Sequence, residues 1–236
     1  VGCWRMASKD SLKYFSAVGY YFQKDLEDAL HIPIGIIGCN WGGTSSSVWI
    51  PPASVKKYGS YWYEKYEKQI SDIDMKKYWQ EQMSNPGNYA PGMIDDPFSQ
   101  FILPRTPSMK EVNEFFASDD MAIEELGSFQ PQSIPGCLYE HMVKELAPFA
   151  VCGVLWYQGE SDDAIGYQHL YENMLLAVIC TWREVFQDNE LPFLIVQLPG
   201  FRQWLDLPNY DWQIIRECQY RVVENTANTW LCSISD

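Results

Sequence analysis

The segment Phe149-Ala150-Val151-Cys152-Gly153-Val154-Leu155-Trp156 restricts the possible folds more than any other. It is an apolar run of strand length that lacks the alternation of a half-wetted strand, so it predicts a strand buried on both faces. It runs straight into the polar loop Tyr157-Gln158-Gly159-Glu160-Ser161-Asp162. A helical pattern follows, about Asp163 to Phe186, with Tyr167, Leu170, Met174, Leu175 and Ile179 on inward positions. The same order recurs downstream: a buried strand over Pro192 to Leu198, a loop over 199–211, a helix over Trp212 to Asn225, and a last strand over Thr229 to Ser235. Upstream, Asp10 to Leu30 reads as a helix, with Phe15, Val18, Gly19, Phe22, Leu26 and Leu30 on one face and Ser8, Asp10 and Ser11 as N-caps. Ile32 to Ile37 reads as a short buried strand that ends in the glycine-rich loop Gly38 to Thr44. Strand, loop, helix, strand without hairpin signals means crossover connections and a parallel sheet, an α/β architecture. Sites in such sheets lie outside the carboxyl ends of the strands, where the loops 38–45 and 157–162 fall.

Residues 54–130 break this rhythm. Tyr61 to Met83 is aromatic and charged, with Trp62, Tyr66, Ile70 and Ile73 at helical spacing, and Pro86, Pro91, Pro97, Pro104 and Pro107 follow. This stretch is expected to be an insertion or lid capping the site, within a single domain spanning 1–236. The chain carries 17 Lys and Arg against 31 Asp and Glu, a formal charge of −14 at pH 7. Such a surface repels phosphate, which argues against nucleic acid and against an anionic membrane as partners. No apolar run approaches the roughly 18 residues of a membrane-spanning helix. The seven cysteines include no Cys-x-x-Cys pair. Their odd number and apolar neighbours predict reduced, buried thiols and favour a cytoplasmic setting, a secreted one requiring a signal peptide upstream of Val1. Oligomeric state is left open.

Adjacent glycines in Trp41-Gly42-Gly43-Thr44 allow positive φ and let backbone N–H groups approach a ligand, as an oxyanion requires. A tight strand-to-helix turn needs the same residues. Gln158 carries an amide donor at a strand end, and Glu160 is acceptor-only when ionised and can fix neighbouring backbone. Ser161 does not fit a nucleophile elbow, because Gly159-Glu160-Ser161-Asp162-Asp163 lacks the closing glycine; it reads as the N-cap region of the next helix. Glu160, Asp162 and Asp163 complement the dipole of that helix, and no metal site is expected. His31, His141 and His169 fall at a helix end or within helical patterns, not on strand-end loops, so none suits a catalytic base. Arg216 is a candidate to fork onto a substrate carboxylate, although an ion pair between elements explains it equally.

Taken together, the motifs resemble a known family. Ile34-Gly35-Ile36-Ile37 through Asn40-Trp41-Gly42-Gly43-Thr44 to Trp49, followed by Leu155-Trp156-Tyr157-Gln158-Gly159-Glu160-Ser161, is similar to the sialate O-acetylesterases of the SGNH-type hydrolases. Phe15 to Tyr20, Leu138-Tyr139-x-x-Met142, Thr181-Trp182-Arg183, Leu191-Pro192-Phe193 with Gln197-Leu198, and Arg216-Glu217-x-Gln219 add to the match in family order, over nearly the whole chain outside 54–130. The resemblance implies a flavodoxin-like three-layer α/β/α fold that removes acetyl groups from sugars and needs no cofactor. It also implies a nucleophilic serine in Gly-Gln-Ser-Asn near the start and a histidine in Asp-x-x-His-Pro near the end; neither motif occurs in these 236 residues. The expectation is therefore a central fragment, truncated at both ends, as Val1-Gly2-Cys3-Trp4 and Ser233-Ile234-Ser235-Asp236 also suggest. What the resemblance leaves in this chain is the oxyanion apparatus: a backbone N–H of Gly42 or Gly43 and the side chain of Gln158. Glu160 supports that loop, and Trp41 and Trp156 shape the site.

The leading expectation is a carbohydrate O-acetylesterase whose partner is an acetylated sugar, the chain itself lacking nucleophile and base. The competing one is a catalytically inactive carbohydrate-binding module of the same fold, suggested by the ten tryptophans. Intact mass spectrometry of the polypeptide from its source cell separates the two. A mass above 27.4 kDa, with sequence on both sides of these residues, is expected for the esterase.

Overall fold

The computed structural model describes residues 4–12, 15–84, 110, 131–201 and 212–234, which fall in two compact units, 1–43 and 44–236. The first unit contains helices α1 (Lys9–Leu12) and α2 (Ala17–Leu30). Ser16 caps α2, its side chain accepting the Gly19 N–H at 3.1 Å. His31 closes the helix in the left-handed conformation, its N–H donating to the Glu27 carbonyl at 2.9 Å. The cap at Ser16 therefore divides what the spacing suggested was one helix from Asp10. Ile32–Ile37, expected as a strand, is not one. An apolar run becomes a strand only when neighbouring backbone pairs with it; the first unit contains no strand among its described residues, and Pro33 has no N–H to offer.

The second unit begins with α3 (Pro52–Tyr58), α4 (Ser60–Ile70) and α5 (Met75–Ser84). The rest of the expected insertion, 85–109 and 111–130, lies outside the described residues. A π-helical turn, Tyr139–Val143, continues into α6 (Lys144–Leu146). Then come β1 (Val154–Trp156), α7 (Leu170–Val185), β2 (Phe193–Val196), α8 (Trp212–Asn225) and β3 (Thr229–Cys232). The strands form a parallel sheet in the order β1-β2-β3, with Leu155 opposite Leu194 and Leu194 opposite Trp230. This is the expected α/β architecture, each crossover made by a helix, and α7 and α8 touch each other.

β1 is shorter than the apolar run predicts. Its ladder starts at Val154, whose N–H donates to the Pro192 carbonyl at 2.8 Å. Pro192 offers no N–H in return, so pairing cannot extend upstream; Phe149 is 49% exposed. The α7 helix also starts late, at Leu170 instead of near Asp163, with His169 at its N-cap position. Residues 160–162 form a separate 3₁₀ turn, so Ser161 does not cap the helix. Tyr167, expected inward, stacks instead on Tyr61 with ring centroids 3.9 Å apart. The cysteine expectation also needs correcting. The described cysteines other than Cys218 are partly or fully exposed, although all six are free thiols.

The core centres on three tryptophans. Trp182 of α7 meets Trp49 at 6.4 Å and Trp156 at 5.8 Å, centroid to centroid. Each indole N–H has an acceptor: Trp182 to the Trp49 carbonyl at 2.9 Å, Trp156 to the Tyr171 hydroxyl at 3.3 Å, and Trp49 to Thr44 Oγ1 at 3.1 Å. Next to it, Arg183 ties the two strand entries together, donating to the carbonyls of Leu191 (3.0 Å), Ala227 (2.8 Å) and Asn228 (3.2 Å). Trp182→Ala removes both the central ring and its hydrogen bond. It is expected to lower stability by about 3–5 kcal/mol in urea unfolding.

Candidate functional site

The loop that leaves β1 is held from three sides. The Gln158 carbonyl accepts the Tyr171 hydroxyl of α7 at 2.8 Å and the Gln219 side-chain amide of α8 at 3.1 Å. Gln219 is fully buried, and its Oε1 accepts the Leu198 N–H at 3.1 Å, so one side chain joins the ends of β1 and β2. Gly159 has φ 153°, a conformation that side chains rarely adopt. A Cβ there would lie 2.8 Å from Ile215 Cγ2 and 3.0 Å from Leu198 Cδ1. The glycine is therefore required twice, by its backbone and by its neighbours.

Beyond Gly159 the chain turns through Glu160–Asp162 and places the Asp162 carboxylate inside the protein, 2% exposed. Three donors converge on it. The Ser46 N–H reaches Oδ2 at 2.7 Å, the Ser46 hydroxyl reaches Oδ1 at 2.5 Å, and Gln158 Nε2 reaches Oδ2 at 2.6 Å. The second Gln158 N–H has an acceptor in the Thr44 carbonyl at 3.1 Å. Gln158 Oε1 is buried without a hydrogen-bond partner among the described residues. The amide orientation follows from the chemistry, since turning it over would set Oε1 against a carboxylate and a carbonyl. Burial pushes the Asp162 carboxyl up to about 6, the hydrogen bonds from Ser46 and Gln158 opposing this and the Glu160 charge adding to it. Burial likewise raises the Tyr171 hydroxyl, with the Asp162 charge in the same direction.

The expected site residues are distributed as follows. Glu160 is exposed; the anchoring carboxylate is Asp162, two residues on, together with Ser46 and Tyr171, which the sequence reading did not single out. Their signal was the polar run Thr44 to Ser47 and the aspartate following Gly-Glu-Ser, both legible as polar but not as partners. Trp156 is 5% exposed and belongs to the core, so it shapes the loop through Tyr171 and offers no ring face to a ligand. Arg216 donates through Nη1 to the Leu198 carbonyl at 3.0 Å. In the first unit, Trp41 is 44% exposed, Gly43 has φ 70°, and a Cβ on Gly42 or Gly43 would meet none of the described residues within 4 Å. The histidines 31, 141 and 169 are all exposed.

Residues 122–231 match the family model described as carbohydrate esterase, sialic acid-specific acetylesterase. The sialate O-acetylesterase of Mus musculus is 26% identical over 195 residues, which are 80% of this chain and 30% of that protein. That of Homo sapiens is 28% identical over 194 residues, 79% of this chain and 26% of that protein. A carbohydrate acetylesterase from Xanthomonas citri superimposes with a TM-score of 0.62 at 24% identity, covering 98% of this chain and 37% of that one, which shows a shared fold. The chain thus spans less than a third of the length of the mouse and human proteins.

The pH dependence of stability tests the environment of Asp162. A carboxyl raised in the folded state contributes stability that is complete below its ordinary value of 3.8 and is lost as pH rises through about 6. The stability gap between wild type and Asp162→Asn, from urea unfolding, is expected to narrow from about pH 4 to about pH 7. A gap that widens over that range contradicts the assignment.

Proposed function

We propose that this chain belongs with the sialic acid-specific carbohydrate acetylesterases, whose family model matches residues 122–231, and that it carries the oxyanion-binding part of an enzyme that deacetylates sugars. The observation supporting this reading is the state of the Gln158 amide. One N–H is bound tightly by a carboxylate at 2.6 Å, and the other rests on a neutral carbonyl at 3.1 Å. A tetrahedral oxyanion is a stronger acceptor than the Thr44 carbonyl and can take its place. Charge-assisted hydrogen bonds are roughly twice as strong as neutral ones, so the exchange favours the transition state over the resting protein.

In this reading a serine hydroxyl attacks the acetyl carbonyl while a histidine takes its proton, both supplied by sequence outside these 236 residues. The carbonyl oxygen gains charge against Gln158, the sugar hydroxyl leaves with a proton, and water releases acetate. Gly42 and Gly43 are further backbone donors on the strength of the family resemblance, and Trp41 is a ligand-facing ring on the same ground. Trp49, Trp156 and Trp182 are core residues with satisfied N–H groups, so these three of the ten tryptophans do not favour a binding module without activity.

Gln158→Ala in the natural polypeptide that contains this chain tests the proposal. Acetate release from an O-acetylated sugar is expected to lose about 10²–10³ in kcat with KM little changed. Undiminished release removes Gln158 from the mechanism.

A further inference from the structure

We propose that Asp162 is a positioning residue for deacetylation: it holds one N–H of Gln158, and so aims the other toward the place taken by the Thr44 carbonyl, while securing Ser46 through backbone and hydroxyl. The inference rests on the reading of Gln158 as an oxyanion donor.

Three observations support it. First, the carboxylate is buried, and Ser46 and Gln158 donate to it, so it is shielded from bulk solvent. Second, the Gln158 amide has one buried oxygen without a partner among the described residues. Leaving a buried acceptor unmade costs about 1–3 kcal/mol, yet turning the amide over would only set that oxygen against the Asp162 carboxylate and the Thr44 carbonyl. Asp162 prevents the turn, since an ionised carboxylate accepts from an N–H and repels an amide oxygen. Third, Gln158 and Asp162 lie on one short turn whose backbone is fixed independently. Tyr171 and Gln219 hold the Gln158 carbonyl, and the Asp162 N–H donates to the Gly159 carbonyl at 3.0 Å. With the backbone already held, the carboxylate is left to set the side-chain orientation. A donor aimed before substrate arrives needs no reorganisation when charge develops, which is what makes such groups effective. The titratable groups facing the carboxylate are Glu160 on the same turn and Tyr171 on α7. Protonation of Asp162 weakens its attraction for the Gln158 N–H, so aim is lost in acid.

The test uses the natural polypeptide as wild type, Asp162→Asn, Gln158→Ala and the double variant, with O-acetylated sialic acid as the probe. The Gln158 side-chain ¹⁵N–¹H resonance, assigned by its loss in Gln158→Ala, is expected downfield and slow to exchange at neutral pH. It should shift with pH about a midpoint near 6 in wild type, and move to ordinary glutamine positions in Asp162→Asn. The kcat of Asp162→Asn is expected to fall about 10- to 100-fold with KM within about threefold, and to fall by less than about twofold when Gln158→Ala is already present. A purely structural role changes the amount of folded protein and leaves those ratios alone. A Gln158 resonance that does not titrate in wild type overturns the clamp, even if Asp162→Asn fails to fold. A resonance that moves while Asp162→Asn keeps full kcat, in a protein that Gln158→Ala disables, overturns the positioning role and leaves the esterase reading standing. Full activity in Gln158→Ala, or no acetate release by wild type, overturns the reading beneath it.

Discussion

A buried carboxylate organises the turn that follows β1. Asp162 has left water, and a buried charge is tolerated only when donors surround it. Ser46 supplies two and Gln158 one. Removing a partner from such a group strands the rest, which costs more than one hydrogen bond contributes. The residues around it are constrained in turn. Gly159 must be glycine for the turn to form, and Ile215 and Leu198 close over it. Tyr171 and Gln219 hold the preceding carbonyl, and Thr44 holds the amide.

The supports of that turn come from the core. The Trp49–Trp156–Trp182 cluster bears on three sections of chain, and the polar edge of each ring is satisfied by a residue of the site region or the backbone beside it. Trp156 reaches Tyr171, and Tyr171 reaches Gln158. Packing and polar order are therefore one network here. The short motifs that first suggested a family turn out to be its brackets: Arg183 links the entries to β2 and β3, and Gln219 links the exits of β1 and β2.

The sequence made β2, β3 and the loop 157–162 legible, because each is an apolar run or a polar break whose identity depends on local residues. It was less informative where the outcome depends on a distant partner. Ile32–Ile37 has the composition of a strand but no ladder among the described residues. Phe149–Gly153 is apolar, yet a proline in the neighbouring strand ends the pairing at Val154. Glu160, Asp162 and Asp163 look alike as a run of acids at a helix start. Only contact with Ser46, far away in sequence, distinguishes Asp162 from the rest. The glutamine was recognisable; what holds it was not.

Ser46 and Asp162 are 116 residues apart, whereas the β1-α7-β2-α8-β3 run forms from consecutive segments. Closing so long a loop costs more chain entropy than pairing neighbours, and the cost is recovered only when both ends are already ordered. The Ser46–Asp162 contact, like the Trp182–Trp49 bond in the core, therefore carries a larger closure cost than the pairings of the sheet. Far-ultraviolet circular dichroism reports helices and strands and carries no signal from the aim of one glutamine side chain.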